Sequence, residues 1–170
     1  PGLVTIGTLG TSWVIEPVVH EVAHQWFYGL IGDDQVNEPW LDEAFATYAT
    51  ALYYENAVNT GRATGYLSDF REILRNHPES DPPTGLGVGQ YEGRDYSLFV
   101  YLKGALFYQE LRQRLGEQTF FDFLQDFYQQ NRYGFVSFED FQEAAEANCD
   151  CQLDDIFDLW VYQGGELALP

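Results

Sequence analysis

Apolar positions recur at helical spacing along most of the chain. Leu41, Ala44, Phe45, Tyr48, Ala49 and Leu52 form one stripe, which predicts a helix over about 39–56. Upstream, Pro17 followed by VVHEVAHQWFYGL suits a helix whose first turn accepts proline and which stops at Gly29 or Gly32. The pattern continues as helices over about 63–76, 96–115 and 117–130, the last two divided at Gly116. Ser137 followed by Glu139 and Asp140 is an N-cap signature for a helix ending near 148, and a final helix is expected over about 153–162. Two stretches break the pattern. The opening PGLVTIGTLGTS, rich in glycine and β-branched residues, reads as a short strand or extended segment. Residues 77–94, HPESDPPTGLGVGQYEGR, crowd prolines and glycines between helical runs and read as a loop, in which His77 is expected to be exposed. The fold class implied is mainly α, with a small β-rich segment at the amino end.

At 170 residues the chain has the size of one domain and can bury a core without staples. Eight Lys and Arg stand against 27 Asp and Glu, a net charge of −19. This leaves no basic surface for a phosphate backbone, so no nucleic-acid partner is expected. An anionic membrane would be repelled, whereas a cationic peptide amino terminus would be attracted. No apolar run approaches the length that spans a bilayer, and no membrane contact is expected from this segment. Cys149 and Cys151 lie too close in sequence for a disulfide to be expected, and a loop is the reading there. With Pro1 first and no Met, residues 1–170 read as a single domain excised from a longer chain.

Chemistry concentrates in His20-Glu21-Val22-Ala23-His24. On a helix, side chains four apart lie one above the other on a shared face, so both imidazoles can reach one metal ion. Glu21 lies on the adjoining edge, where a carboxylate that is not a ligand can act as a base. Catalytic zinc needs a third protein ligand and an open position. Glu43, on the next predicted helix, is the candidate, with Asp42 and Glu38 as competitors on spacing alone. Thr47, one turn after Glu43, is a candidate to orient it or a histidine.

HEVAHQWF, the interval of eighteen residues and WLDEAFATY together resemble the zinc signature of the aminopeptidase N family of gluzincin metallopeptidases. The segment YSLFVYLKGA (96–105) is similar to the part of that family with a catalytic tyrosine shortly before a lysine-glycine pair. The resemblance implies a thermolysin-like catalytic domain, preceded in the longer chain by a β-domain. It also implies one Zn2+ ion on His20, His24 and Glu43, Glu21 as general base, Tyr101 as oxyanion stabiliser and a peptide as substrate. Such a phenol stays protonated at neutral pH and can donate to a developing negative charge. Three departures accompany the match. Asp42 and Ala44 stand where the family usually has WLNEG, and Tyr28-Gly29 replaces a glycine-asparagine pair. The glycine-methionine-glutamate-asparagine motif that holds a substrate's amino terminus has no counterpart in a chain without Met. Release of N-terminal residues is the activity implied. The competing reading is a zinc-containing binding or scaffolding domain that keeps the fold without hydrolysis.

Overall fold

Helix α2 (Trp40–Ala57) is the element around which the others pack. In the computed structural model, which describes residues 3–6, 15–77 and 81–163, α2 touches α1 (Ile15–Ala23), α3 (Thr60–Arg75) and α4 (Gly104–Leu115). It also touches the π-helical segment Tyr96–Lys103 that runs directly into α4. Helices α5 (Glu117–Asn131), α6 (Phe138–Cys149) and α7 (Asp154–Phe157) complete the other side, and a second π-helical turn, Asp158–Tyr162, ends the described chain.

Many of the aromatic side chains go into the core. Trp40 is fully buried and meets Phe107 and Phe138 at 5.3 Å and Phe141 at 5.7 Å between ring centroids. Phe120, Phe123, Phe127 and Phe157 close the cluster. Each such side chain contributes about 1.5–3 kcal/mol by leaving water, and edge-on packing adds directional preference. The start of α2 is thereby fixed in the most densely aromatic part of the molecule.

Local signals explain most helix boundaries. Ser137 Oγ accepts from Asp140 N while Asp140 Oδ2 accepts from Ser137 N, so the expected cap of α6 is present. Asn59 caps α3 by accepting from Arg62 N at 2.9 Å. Gly104 has a packing role: a Cβ there would stand 2.5 Å from Ala44 Cβ, so its lack of a side chain lets the tyrosine-bearing segment approach α2 beside Glu43.

Four expectations change. Residues 3–6 form no strand, 1–2 and 7–14 lie outside the described residues, and no β-rich segment is found among the described ones. Pairing among the described residues is confined to the isolated bridges Phe27 to Ile31 and Gly32 to Phe135, and an extended segment without a neighbouring strand makes no ladder. Helix α1 stops at Ala23 rather than at Gly29 or Gly32, because the chain reverses: Tyr28 adopts a positive φ of 87° and its N–H donates to Ile31 O at 2.7 Å. Cys149 and Cys151 are disulfide-bonded. Asp150 between them is left-handed at φ 51°, which turns the chain and brings the two Cα atoms to 5.2 Å. His77 is half-buried rather than exposed, held 3.0 Å from Asp95. No helix among the described residues is long and apolar enough to cross a membrane.

Candidate metal centre

His20, in the last turn of α1, and His24, immediately after it, face Glu43 in the first turns of α2. Glu43 Oε2 is 3.0 Å from His20 Nε2 and 3.2 Å from His24 Nε2, and the two nitrogens are 3.2 Å apart. The other ring nitrogens decide what this triangle can do. His24 Nδ1 lies 3.3 Å from the carbonyl oxygen of Phe27, which can only accept, so Nδ1 carries the hydrogen. Thr47 spends its hydroxyl proton on Glu43 O at 2.8 Å, which leaves its lone pair to accept from His20 Nδ1 at 3.4 Å. With both Nδ1 atoms protonated, both neutral rings point bare Nε2 lone pairs at a carboxylate oxygen. Three acceptors converging on one point call for a shared proton or a metal ion between them. Tetrahedral zinc, bonded at about 2.0–2.2 Å, separates its ligand atoms by roughly 3.3–3.6 Å. The observed triangle is within a few tenths of an ångström of that. Among the described residues, these three form the group able to hold a metal.

Without a cation the triangle relies on charge. Burial alone would push the Glu43 carboxyl up, but its bonds to His20, His24 and Tyr101 bring it down to about 2. Burial opposes a charged His24, yet Glu43, Asp42 and the Phe27 carbonyl together outweigh it and leave the ring above its ordinary 6.5. Tyr101 stacks on His20 at 5.7 Å. Burial first, and then the Glu43 charge, raise the phenol well above its usual range, so it stays a donor.

Two clefts of about 560 Å³ meet at Glu21 and Glu43. One runs past His20, Thr47 and Tyr101 to Tyr66 and Phe70 of α3. The other runs past His24 and Gln35 to residues 3–5. Glu21 therefore stands at the junction, half-exposed beside the triangle.

The two competing acids separate clearly. Asp42 is buried behind His24, with Oδ2 accepting from Gln35 Nε2 at 2.7 Å and lying 3.7 Å from His24 Nδ1. Glu38 accepts from Phe138 N at 3.2 Å, at the start of α6. Neither carboxylate faces the Nε2 atoms. Thr47 makes both the helix-backbone bond and the contact to His20. Sequence reasoning missed Asp33, buried with neither carboxylate oxygen partnered and pushed up to about 8 by burial and by Asp42. It also missed Tyr96, whose ring meets that of Tyr101 edge-on at 5.8 Å. Lys103, fully buried, donates to Asp81 at 2.6 Å and to Pro82 O at 2.8 Å, tying the 77–94 loop to the tyrosine segment. An aromatic five positions before Tyr101 carries no signal in an α-helical reading, and nothing local marks Asp33.

Two imidazoles one turn apart, a carboxylate from the adjoining helix and open clefts on both sides define a helical domain with a site able to hold a metal ion. The model of the Peptidase family M1 domain matches residues 8–160, and the chain belongs to that family. The family implies a Zn2+ cofactor and metallopeptidase chemistry. Aminopeptidase N of Oryctolagus cuniculus is 29% identical over 168 residues, covering 89% of this chain and 17% of that protein. Aminopeptidase RNPEPL1 of Mus musculus is 30% identical over an alignment of 177 residues, covering 94% and 25%. The chain thus spans a quarter or less of the length of these relatives. An M1 zinc metallopeptidase from Deinococcus radiodurans superposes with a TM-score of 0.71 at 25% identity, over 91% of this chain and 34% of that one. A mutant of that enzyme bound to a Tyr-Ser-Ala substrate gives 0.78 at 23%, over 98% and 36%.

Proposed function

We propose that the chain is a catalytic domain for zinc-dependent peptide-bond hydrolysis of the aminopeptidase type, releasing N-terminal residues. His20 Nε2, His24 Nε2 and Glu43 Oε2 would hold the ion. When bound, zinc supplies Lewis acidity, which makes water a competent nucleophile at neutral pH. Glu21, at the junction of the clefts, accepts the proton of the attacking water and passes it to the leaving amine. Tyr101 donates its hydroxyl hydrogen to the carbonyl oxygen as negative charge develops there. Thr47 and the Phe27 carbonyl hold the two rings in the tautomer that leaves Nε2 free. The excess of carboxylates favours approach of a cationic amino terminus.

The observation that carries this reading is the convergence of three acceptor atoms, with both Nδ1 hydrogens committed elsewhere. It is tested by Glu21→Gln. Measured with a fluorogenic aminoacyl amide, the variant is expected to keep stoichiometric zinc and lose turnover by about a hundredfold or more, in line with the removal of a general base. Turnover at the wild-type rate would remove Glu21 from its role. Wild-type protein that carries zinc but never cleaves would favour a binding or scaffolding domain instead.

A further inference from the structure

Lys103 lies wholly inside the molecule, two residues after Tyr101 and directly before Gly104. An ammonium is costly to bury unless its donors are satisfied. Its Nζ donates to Asp81 Oδ1 at 2.6 Å and to Pro82 O at 2.8 Å, and stands 5.6 Å from the centre of the Phe99 ring. Both oxygens belong to the 77–94 loop, so the lysine is satisfied only with that loop docked against the segment that carries Tyr101.

The loop is itself tied to two other parts of the chain. Thr84 donates to Trp160 O from its N–H at 3.0 Å and from its hydroxyl at 3.1 Å, and Gly85 N–H donates to Val161 O at 3.0 Å. A Cβ on Gly85 would stand 2.6 Å from Val161 O, so this approach needs a glycine. Val88 N–H donates to Val36 O at 2.9 Å, in the connection between α1 and α2. Side chains two positions apart on a helix leave nearly opposite faces. Lys103 turns to the loop, whereas Tyr101 stacks on His20 at 5.7 Å and lines the cleft. Gly104 sets the same segment against Ala44 of α2, next to Glu43. The tyrosine is thus carried on a segment gripped between α2 and an anchored loop.

We propose that Lys103, through Asp81, is a positioning residue for Tyr101: the tie to the loop fixes the segment from behind and sets the phenol beside the metal centre. The metal ligands sit on α1, α2 and the turn after α1, outside this tie, so loosening it displaces the phenol and spares the ion. A misplacement of about 1 Å can cost on the order of a hundredfold in rate. The inference rests on the reading of Tyr101 as the group that meets the carbonyl oxygen.

Kinetics and a spectroscopic signal together test it on the zinc-loaded full chain. Lys103→Met fills the space without a charge, and the part-exposed Asp81 can turn to water, so no unpaired charge is left inside. The variant is expected to keep zinc affinity and KM within about twofold and to lower kcat about tenfold. Asp81→Ala is expected to behave likewise, while Asp81→Asn, which keeps an oxygen for Lys103, retains more of the rate. His77→Gln, which breaks a contact elsewhere on the loop, is expected to leave kcat unchanged. Combined with Tyr101→Phe, Lys103→Met is expected to cost nothing further, because it acts through Tyr101. Independently of turnover, the Tyr101 ring 13Cε resonances, displaced by the stacked His20 ring, are expected to move in Lys103→Met and to stay in place in His77→Gln. An unmoved Tyr101 resonance, a wild-type kcat in Lys103→Met, or a loss of zinc along with the rate would each overturn the proposal. An inactive wild type would remove the proposed function, and the resonance would still decide whether Lys103 positions Tyr101.

Discussion

Two regions of the molecule place a histidine Nε2 3.0 Å from a carboxylate, and they are chemically unlike. At His77 a single ring meets Asp95 at the edge of the 77–94 loop, and donation of one N–H satisfies the contact. At His20 and His24 two rings converge on one oxygen of Glu43, and the Phe27 carbonyl and the Thr47 hydroxyl have already taken the Nδ1 hydrogens. The same distance is a hydrogen bond in one place and part of a cluster able to hold a metal ion in the other. What separates them lies on the far side of the ring.

The sharpest way to break the comparison is to remove a member of that cluster. His24→Ala or Glu43→Ala is expected to lower zinc affinity by more than about a hundredfold, since structural and catalytic zinc needs at least three protein donors; competition with a chromophoric chelator measures it. His77→Gln should leave zinc affinity untouched.

Next in size is the response to pH. In the metal-free protein, Glu43, Asp42 and the Phe27 carbonyl together keep the His24 pKa above 6.5 despite burial. That contribution to stability is full below about pH 6.5 and fades as pH rises through the folded-state value. Zinc requires the neutral ring, so its contribution has the opposite slope. The gap between the melting temperatures of zinc-loaded and metal-free protein is therefore expected to widen as pH rises from about 5.5 to 8. At free zinc a hundredfold above Kd it corresponds to about 2.7 kcal/mol. A gap that narrows would mean that His24 is not a ligand.

Smaller again is Gly104→Ala. The new methyl would collide with Ala44 beside Glu43, and a loss of about 1–3 kcal/mol is expected from overpacking, read by denaturant midpoint. Smallest is His77→Gln, which gives up a half-exposed pair and is expected to cost less than about 1 kcal/mol.

The sequence made the helices legible wherever a cap or a break is local: Ser137 with Asp140 at α6, and Gly116 between α4 and α5. It made the paired histidines legible because four residues is a helical turn. Three acids on the next helix and its approach remained open on spacing alone, and resemblance rather than periodicity singled out Glu43. The structure separates them by burial and by partner: Asp42 turns to Gln35 and Glu38 to the start of α6. What the sequence hid depends on backbone that no apolar pattern encodes. The apolar run continues past Ala23, where α1 ends, and through Tyr28, where the chain turns left-handed. The left-handed Asp150 joins two cysteines that spacing seemed to keep apart. An α-helical reading of 96–103 separates Tyr96 from Tyr101, and only the π register brings them together.

Anomalous scattering at the zinc edge, recorded from crystals of zinc-supplemented protein, tests the central claim most directly. A single peak is expected about 2.0–2.2 Å from His20 Nε2, His24 Nε2 and Glu43 Oε2. A peak anywhere else, or Glu43 turned away from a metal held by the two rings alone, would contradict it.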